Sequence, residues 1–372
     1  MLRAAAASAP AKLVLTGEYA VLEAGYPAIV AAIDRRTEAH VAPADIMRLT
    51  APALGLEAAP AHHEAGRWGL VPARPEAAFV SEAMSAVLGY LEEGGAEIVP
   101  FHLTLSPALA EGGVKIGLGG SAATTVAVIA AVLAAFGEAA EPGLVYRLGA
   151  IAHLRAQGSG SGIDVAASTF GGLLSFTSHQ PDWLKARLAE ENSLRVLVEA
   201  PWPHLRLIPL SWPEGWQLMV GWTGKSASTP AYLQLVDGLK TAEDPRYPAF
   251  LGAMRESSRL LALSMGTADA ATAQQALELG RQAMLELGAA LGVPLETPQL
   301  EQLATVTARC RTAGKPSGAG GGDCGIALAF DAAQADELRS AWQEAGVRPL
   351  ELALAPTGVR PYSPESALPS RP

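Results

Sequence analysis

Apolar residues recur with two different periods along this chain. In the first third, KLVLTG (12–17), YPAIVAAI (26–33) and FHLTLS (101–106) have the length and composition of strands. The last alternates with period two, Phe101, Leu103 and Leu105 opposing His102, Thr104 and Ser106. Between them, residues 75–95 place Val80, Met84, Val87 and Leu91 on one helical face and stop at Gly94-Gly95. An alanine-rich helix is predicted from 122 to Gly137, and another over about 144–157. After about residue 190 come strand candidates LRVLVEA (194–200), LRLIPL (205–210) and WQLMVGW (216–222), then a helical region over about 267–313. A glycine-rich loop (315–323), a strand (324–330), a helix (333–346) and a last strand (349–355) follow, with a frayed tail from about 361. Strands and helices mix without regular βαβ alternation, which predicts an α+β fold. At 372 residues two domains are expected, 1–212 and 213–372.

The composition, 49% hydrophobic and 17% charged, is that of a soluble globular protein. A net charge of −10 argues against general attraction to nucleic acid or to an anionic membrane. The longest apolar run, 122–136, is too short to span a bilayer. The start has no apolar core of a signal peptide before Lys12, and the two cysteines, Cys310 and Cys324, lack disulfide or zinc spacing. A cytoplasmic setting is expected. Only six lysines occur, and Lys12, Lys115, Lys225 and Lys315 all lie beside small-residue stretches, where they are expected to be pocket cations.

Three small-residue loops carry the candidate chemistry. In KIGLGGSAATT (115–125), Gly117, Gly119 and Ala122 satisfy a dinucleotide fingerprint, but no strand follows the helix behind them. The other reading is a phosphate loop opening onto a helix, whose free N–H groups and dipole attract an anion. Ser121 would then cap that helix, bind a phosphate oxygen or ligate Mg²⁺. In GSGSGIDVAAS (158–168), Asp164 is either a helix N-cap, with the helix starting at Val165, or a carboxylate facing a cleft. KPSGAGGGDCG (315–325) is either a connection or a third ligand loop. GWTGKSAST (221–229) invites a Walker A reading, which Met219 defeats, and no helix is expected behind it because Pro230 follows.

The set of loops, with APAKLVLTGEYAVL (9–22) before them, resembles the GHMP kinases over most of the chain, and within them the phosphomevalonate kinase family. Gly120 departs from that family's usual G-L-G-S-S wording, and Tyr19 stands where mevalonate kinases typically carry histidine. The resemblance implies an N-terminal domain like that of ribosomal protein S5 and a ferredoxin-like C-terminal domain, with ATP between them. It implies transfer of the ATP γ-phosphoryl group to 5-phosphomevalonate, with Lys12 and Asp164 catalytic and Lys115, Gly117, Leu118, Gly119, Gly120, Ser121 and Ala122 binding ATP. Substrate contacts would come from Lys12, Tyr19, Ser161, Gly162, Asp164, Ser228, Thr229, Gly320 and Gly321, and Mg²⁺ would sit on Ser121. His153 occupies the position of a metal-binding glutamate in some relatives; it is otherwise a half-buried helix residue. The expected partners are the small-molecule substrates alone, for a monomer or homodimer that needs neither nucleic acid nor membrane. Mevalonate kinase and diphosphomevalonate decarboxylase are the near alternatives; a non-catalytic sensor and an NAD-dependent oxidoreductase are the distant ones.

Overall fold

The computed structural model describes residues 2–363, apart from 65, 107–109, 112–113, 116, 192 and 225–228. Two long strands, β1 (Ala5–Thr16) and β2 (Pro27–Pro43), pair antiparallel and form the spine of the first half. β3 (Arg48–Ala51), β4 (Leu56–Glu64), β5 (Arg67–Leu70), β6 (Phe101–Ser106), the small pair β7 (Ala110–Glu111) and β8 (Val114–Lys115), β9 (Leu173–Thr177) and β10 (Arg206–Leu210) follow. The main sheet runs β10-β9-β2-β6-β3-β4-β5, with β1 on the other edge of β2; β3 and β6 are its parallel pair. Helices α1 (Ala78–Glu93), α2 (Gly120–Phe136), α3 (Pro142–Gln157) and α4 (Ile163–Phe170) share one apolar core with it. No strand follows α2, so the dinucleotide reading fails on its context.

The β1–β2 register slips between Pro10 and Ala11. Before the slip, Ala5, Ala7 and Ala9 pack into the core under the helices; after it, Ala11, Leu13 and Leu15 pack into a second core, and Val14 returns to the first. Side chains alternate along a strand, so the slip turns Lys12, two residues before Val14, onto the face that carries α2 and α4.

Two further helices complete the first half, α5 (Pro181–Glu190) and α6 (Leu194–Glu199). The sequence predicts a strand over 194–200, whereas residues 194–199 are helical and Ala200 is extended. Ser193 caps α6 by accepting from Val196 N, while Glu93, at the end of α1, accepts from Leu194 N and Arg195 N at 2.9 Å. That acceptor lies about a hundred residues away, outside the reach of any local pattern.

The second sheet contains β11 (Gln217–Trp222), β12 (Gly314–Pro316), β13 (Cys324–Ala329) and β14 (Arg348–Leu350), ordered β12-β13-β11-β14 and antiparallel throughout. Helices α7 (Thr229–Thr241), α8 (Arg246–Thr267), α9 (Ala270–Leu291), α10 (Pro298–Arg309) and α11 (Ala332–Glu344) belong to this half, and α9, α10 and α11 pack on the sheet. Helix therefore starts at 229 rather than 267. Pro230 is the second residue of α7, where its missing N–H has no intrahelical partner to lose, so it begins this helix instead of forbidding it. In α8 the buried face includes Ser257, Ser258 and Ser264, which hides its periodicity. The last described strand, β15 (Arg360–Tyr362), pairs with β1, so this segment joins the first sheet rather than the unit expected over 213–372. No helix of the described residues is long and apolar enough to cross a membrane.

Candidate active site

Lys12 N donates to Leu118 O at 2.9 Å, which ties the second loop directly to the residue that faces it. Leu118 is buried and anchors the loop in the second core. Gly119 then takes φ +77, and an added Cβ would meet Lys12 Cε at 2.6 Å; only glycine leaves room for the lysine stem to pass. α2 opens at Gly120 with no side chain capping its first turn. The first N–H groups of the helix, at Gly120 and Ser121, therefore have no carbonyl to bond within it. Ser121 is not an N-cap: the cap is Gly119, and the Ser121 hydroxyl lies 3.2 Å from His153 Nε2. Ala122 is buried behind it.

Asp164 lies in the first turn of α4, which starts at Ile163 behind Gly162, so it is not an N-cap either. Its Oδ1 is 3.3 Å from Lys12 Nζ. The lysine side chain is 11% exposed and the aspartate 31%, so the pair is shielded on the lysine side and open on the other. The loop before Asp164 is clamped from behind. Ser178 Oγ donates to Ser161 O at 2.9 Å, and Tyr146 OH pairs with His179 Nδ1 at 3.2 Å directly under Gly162. Burial pushes the His179 ring down to about 4 from its ordinary 6.5.

The third loop abuts the other two. An added Cβ on Gly117 would meet the Asp323 carboxylate, and Tyr19 OH donates to Ala319 O at 2.6 Å. Burial, then the neighbouring Tyr232 and Glu18, push the Tyr19 phenol upward, so it stays protonated as a donor. Gly320 and Gly321 pack on Leu295 and Tyr232, and Gly321 N donates to Leu295 O at 2.7 Å. Lys315 is not a pocket cation. It is fully buried, paired with Glu18 and donating to Pro316 O at 2.7 Å. Beside it Thr16 and Ser257 hydroxyls lie 2.6 Å apart, and Ser257 donates to Ala276 O. This polar seam fastens the first motif to α8, α9 and β12.

Lys12, Tyr19, Ser161, Gly162 and Asp164 line one cleft of about 160 Å³, together with Glu18, His153, Gln157, Gly318 and Ala319. Lys225 and Ser228 lie outside the described residues, as do the side chains of Lys115 and Thr229; Gly318 and Ala319 line the cleft, but Gly320 and Gly321 do not. His153 is buried rather than half-exposed. Desolvation lowers its pKa to about 4, against the pull of Asp164 and with that of Lys12. Among the described residues no group of three His, Cys, Asp or Glu side chains could hold a metal. The oxygen side chains around the phosphate loop are the Ser121 hydroxyl, the Asp164 carboxylate beside Lys12 and the Asp323 carboxylate beside Gly117. Oxygens few in number suit Mg²⁺, which keeps water and substrate phosphate in its shell.

Residues 79–172 match the GHMP kinases N terminal domain, and 268–348 match the GHMP kinases C terminal domain. A phosphomevalonate kinase of Streptomyces sp. (strain CL190) is 34% identical over 94% of this chain and 97% of its own. The chain belongs to the GHMP kinases. A mevalonate kinase of Thermococcus sibiricus is 28% identical over 95% of the chain and 97% of its own length. Among solved structures, a Listeria innocua protein superimposes with TM-score 0.89 at 31% identity, covering 97% of this chain and 99% of its own. Streptococcus pneumoniae phosphomevalonate kinase, in complex with phosphomevalonate and AMPPNP, does so with TM-score 0.83 at 25% identity, covering 94% and 99%.

Within this GHMP kinase, the cleft residues missed in the sequence include the polar Glu18 and Gln157 and the loop residues Gly318 and Ala319. Glu18 follows Gly17, where an added Cβ would overlap Ala28; that tight glycine beside a carboxylate was the available signal. Gln157 ends α3, and its Nε2 donates to Ser159 O at 2.6 Å, stapling the Asp164 loop at its start.

Proposed function

We propose that this enzyme transfers the γ-phosphoryl group of ATP to 5-phosphomevalonate, giving 5-diphosphomevalonate and ADP in the mevalonate route to isoprenoids. An oxygen of the acceptor phosphate attacks the γ-phosphorus, the β–γ bridging P–O bond breaks, and ADP leaves with the electron pair. Such a transfer needs alignment and charge neutralisation more than covalent help. The observation that carries the reading is the Lys12 ammonium held between Gly119 at the α2 terminus and Asp164, inside a cleft. The relatives named phosphomevalonate kinase supply the choice of substrate.

In this reading the backbone from Gly117 to Ala122 cradles the triphosphate, with Lys115 as a further phosphate contact. Lys12 bridges the γ-phosphate and the incoming oxygen. Magnesium, held by Ser121 with Asp164 nearby, neutralises phosphate charge when bound. A phosphate monoester has a second pKa of about 6 and is largely deprotonated at neutral pH. Asp164 therefore orients Lys12 rather than removing a proton. Tyr19, Ser161, Gly162, Ser228, Thr229, Gly320 and Gly321 are assigned to the acceptor or to the walls that shape its site. A cytoplasmic monomer or homodimer, needing neither nucleic acid nor membrane, completes the proposal.

The test is ADP release with ATP and, separately, mevalonate, 5-phosphomevalonate and 5-diphosphomevalonate. Turnover with 5-phosphomevalonate alone is expected. Turnover only with mevalonate, or nucleotide binding with no turnover on any of the three, overturns the assignment.

A further inference from the structure

His153 has no role in the reaction as described, yet it is one of the best-enclosed polar groups in the cleft. It lies on α3, 8% exposed, with its ring centroid 4.7 Å from that of Phe79. Its Nε2 reaches across to Ser121 Oγ at 3.2 Å and so links α3 to the first turn of α2. A serine hydroxyl carries one proton and two lone pairs. A hydroxyl that offers lone pairs to a cation must give its proton to another acceptor, because the cation cannot take it. Within the first turn of α2 no side chain caps the backbone, and this hydroxyl pairs with the imidazole.

We propose that His153 is a positioning residue whose Nε2 accepts the Ser121 proton and turns that hydroxyl's lone pairs toward the metal-bearing triphosphate. The inference rests on the kinase reading and adds to it a residue outside the phosphate loop. The geometry explains why the position is polar although it is buried against an aromatic ring. An apolar filler would serve packing equally well, whereas Ser121 would be left to spend its proton on a phosphate oxygen or on water. The second arrangement lets the hydroxyl rotate and weakens metal-dependent binding without touching the acceptor site.

The experiment is calorimetric titration of the full chain with AMPPNP, with Mg²⁺ and again in EDTA, for wild type, His153→Gln, His153→Leu, His153→Asn, Ser121→Ala and the double variant Ser121→Ala/His153→Leu. Glutamine can place its amide oxygen where Nε2 lies; asparagine is too short, and leucine has no acceptor. His153→Leu and His153→Asn are expected to weaken Mg²⁺-dependent binding ~10-fold, the scale of one lost hydrogen bond, with His153→Gln within about threefold of wild type. In EDTA the three His153 variants should bind like the wild type, and His153→Leu should add nothing to the loss in Ser121→Ala. If His153→Leu fails to fold, as its melting curve would reveal, His153→Asn carries the same comparison. Equal affinities for glutamine, asparagine and leucine, or losses that simply add to that of Ser121→Ala, overturn the inference. A wild type that binds no AMPPNP overturns the kinase reading, and the inference with it.

Discussion

Replacing Lys315 by methionine distinguishes a lysine that holds the molecule together from one that meets substrate. Lys315 is fully buried against Glu18, whose side chain is 2% exposed, so methionine leaves a carboxylate buried without its cation. Breaking one partner of such a pair costs ~3–5 kcal/mol. An unfolding entropy of about 2.1 cal/mol/K per residue gives roughly 0.8 kcal/mol/K for 372 residues. The melting temperature should therefore fall by ~4–6 °C for a single cooperative transition. The second change Glu18→Gln, which removes the stranded charge, should restore most of the loss. Lys12→Met should behave in the opposite way. Asp164 keeps 31% exposure, so the melting temperature should move by less than ~2 °C, while kcat/KM falls at least ~10²-fold. Differential scanning calorimetry and ADP release measure the two quantities. If Lys315→Met melts with the wild type and loses nucleotide binding, the structural assignment of this lysine is wrong.

Three more outcomes follow from the same geometry. Gly119→Ala forces a Cβ against Lys12 Cε at 2.6 Å with φ at +77; stability should drop by ~1–2 kcal/mol, and kcat should fall far more than in Gly137→Ala, whose Cβ meets nothing. Asp164→Asn should keep more than ~1% of kcat, since a base acting on an alcohol contributes ~10²–10⁴-fold and little proton is left to remove here; single-turnover rates would detect a total loss, which refutes the orienting role. His179 and His153 both titrate near 4 when folded and 6.5 when unfolded. The unfolded chain takes up protons first, so stability is full above about pH 6.5 and declines toward pH 4, by up to ~3 kcal/mol per ring. Denaturation curves against pH should show that slope, reduced in His179→Gln.

Where a signal was local, it could be read from the residues. The alternation at 101–106 matches β6 residue for residue, and the helix ending at Gly137 and the one over 144–157 lie within two residues of α2 and α3. The three glycine loops do converge, because Gly117 and Gly119 mark places where another chain segment passes too close for a Cβ. What escaped depends on distant partners. α6 is helical because Glu93 caps it, and α8 hides behind buried serines, one of which, Ser257, answers Thr16 and Ala276. Lys315 looked like a pocket cation because its neighbours are small; its partner Glu18 lies 297 residues earlier.

The return of β15 to β1 matters to how the polypeptide is made. Arg36 clasps Ser8 on one side and the carbonyls of Thr357 and Gly358 on the other, and Gly358 fits only because it can press against Thr169 at the end of the Asp164 helix. During synthesis the strand that carries Lys12 emerges more than 300 residues before its closing partner. Until residue 362 leaves the ribosome, β1 presents a bare edge that invites pairing with other chains. A truncation before residue 353, far from the cleft in sequence, would strip that cover from the catalytic strand permanently. A cut before residue 360, which removes β15, should produce aggregation rather than a slow enzyme.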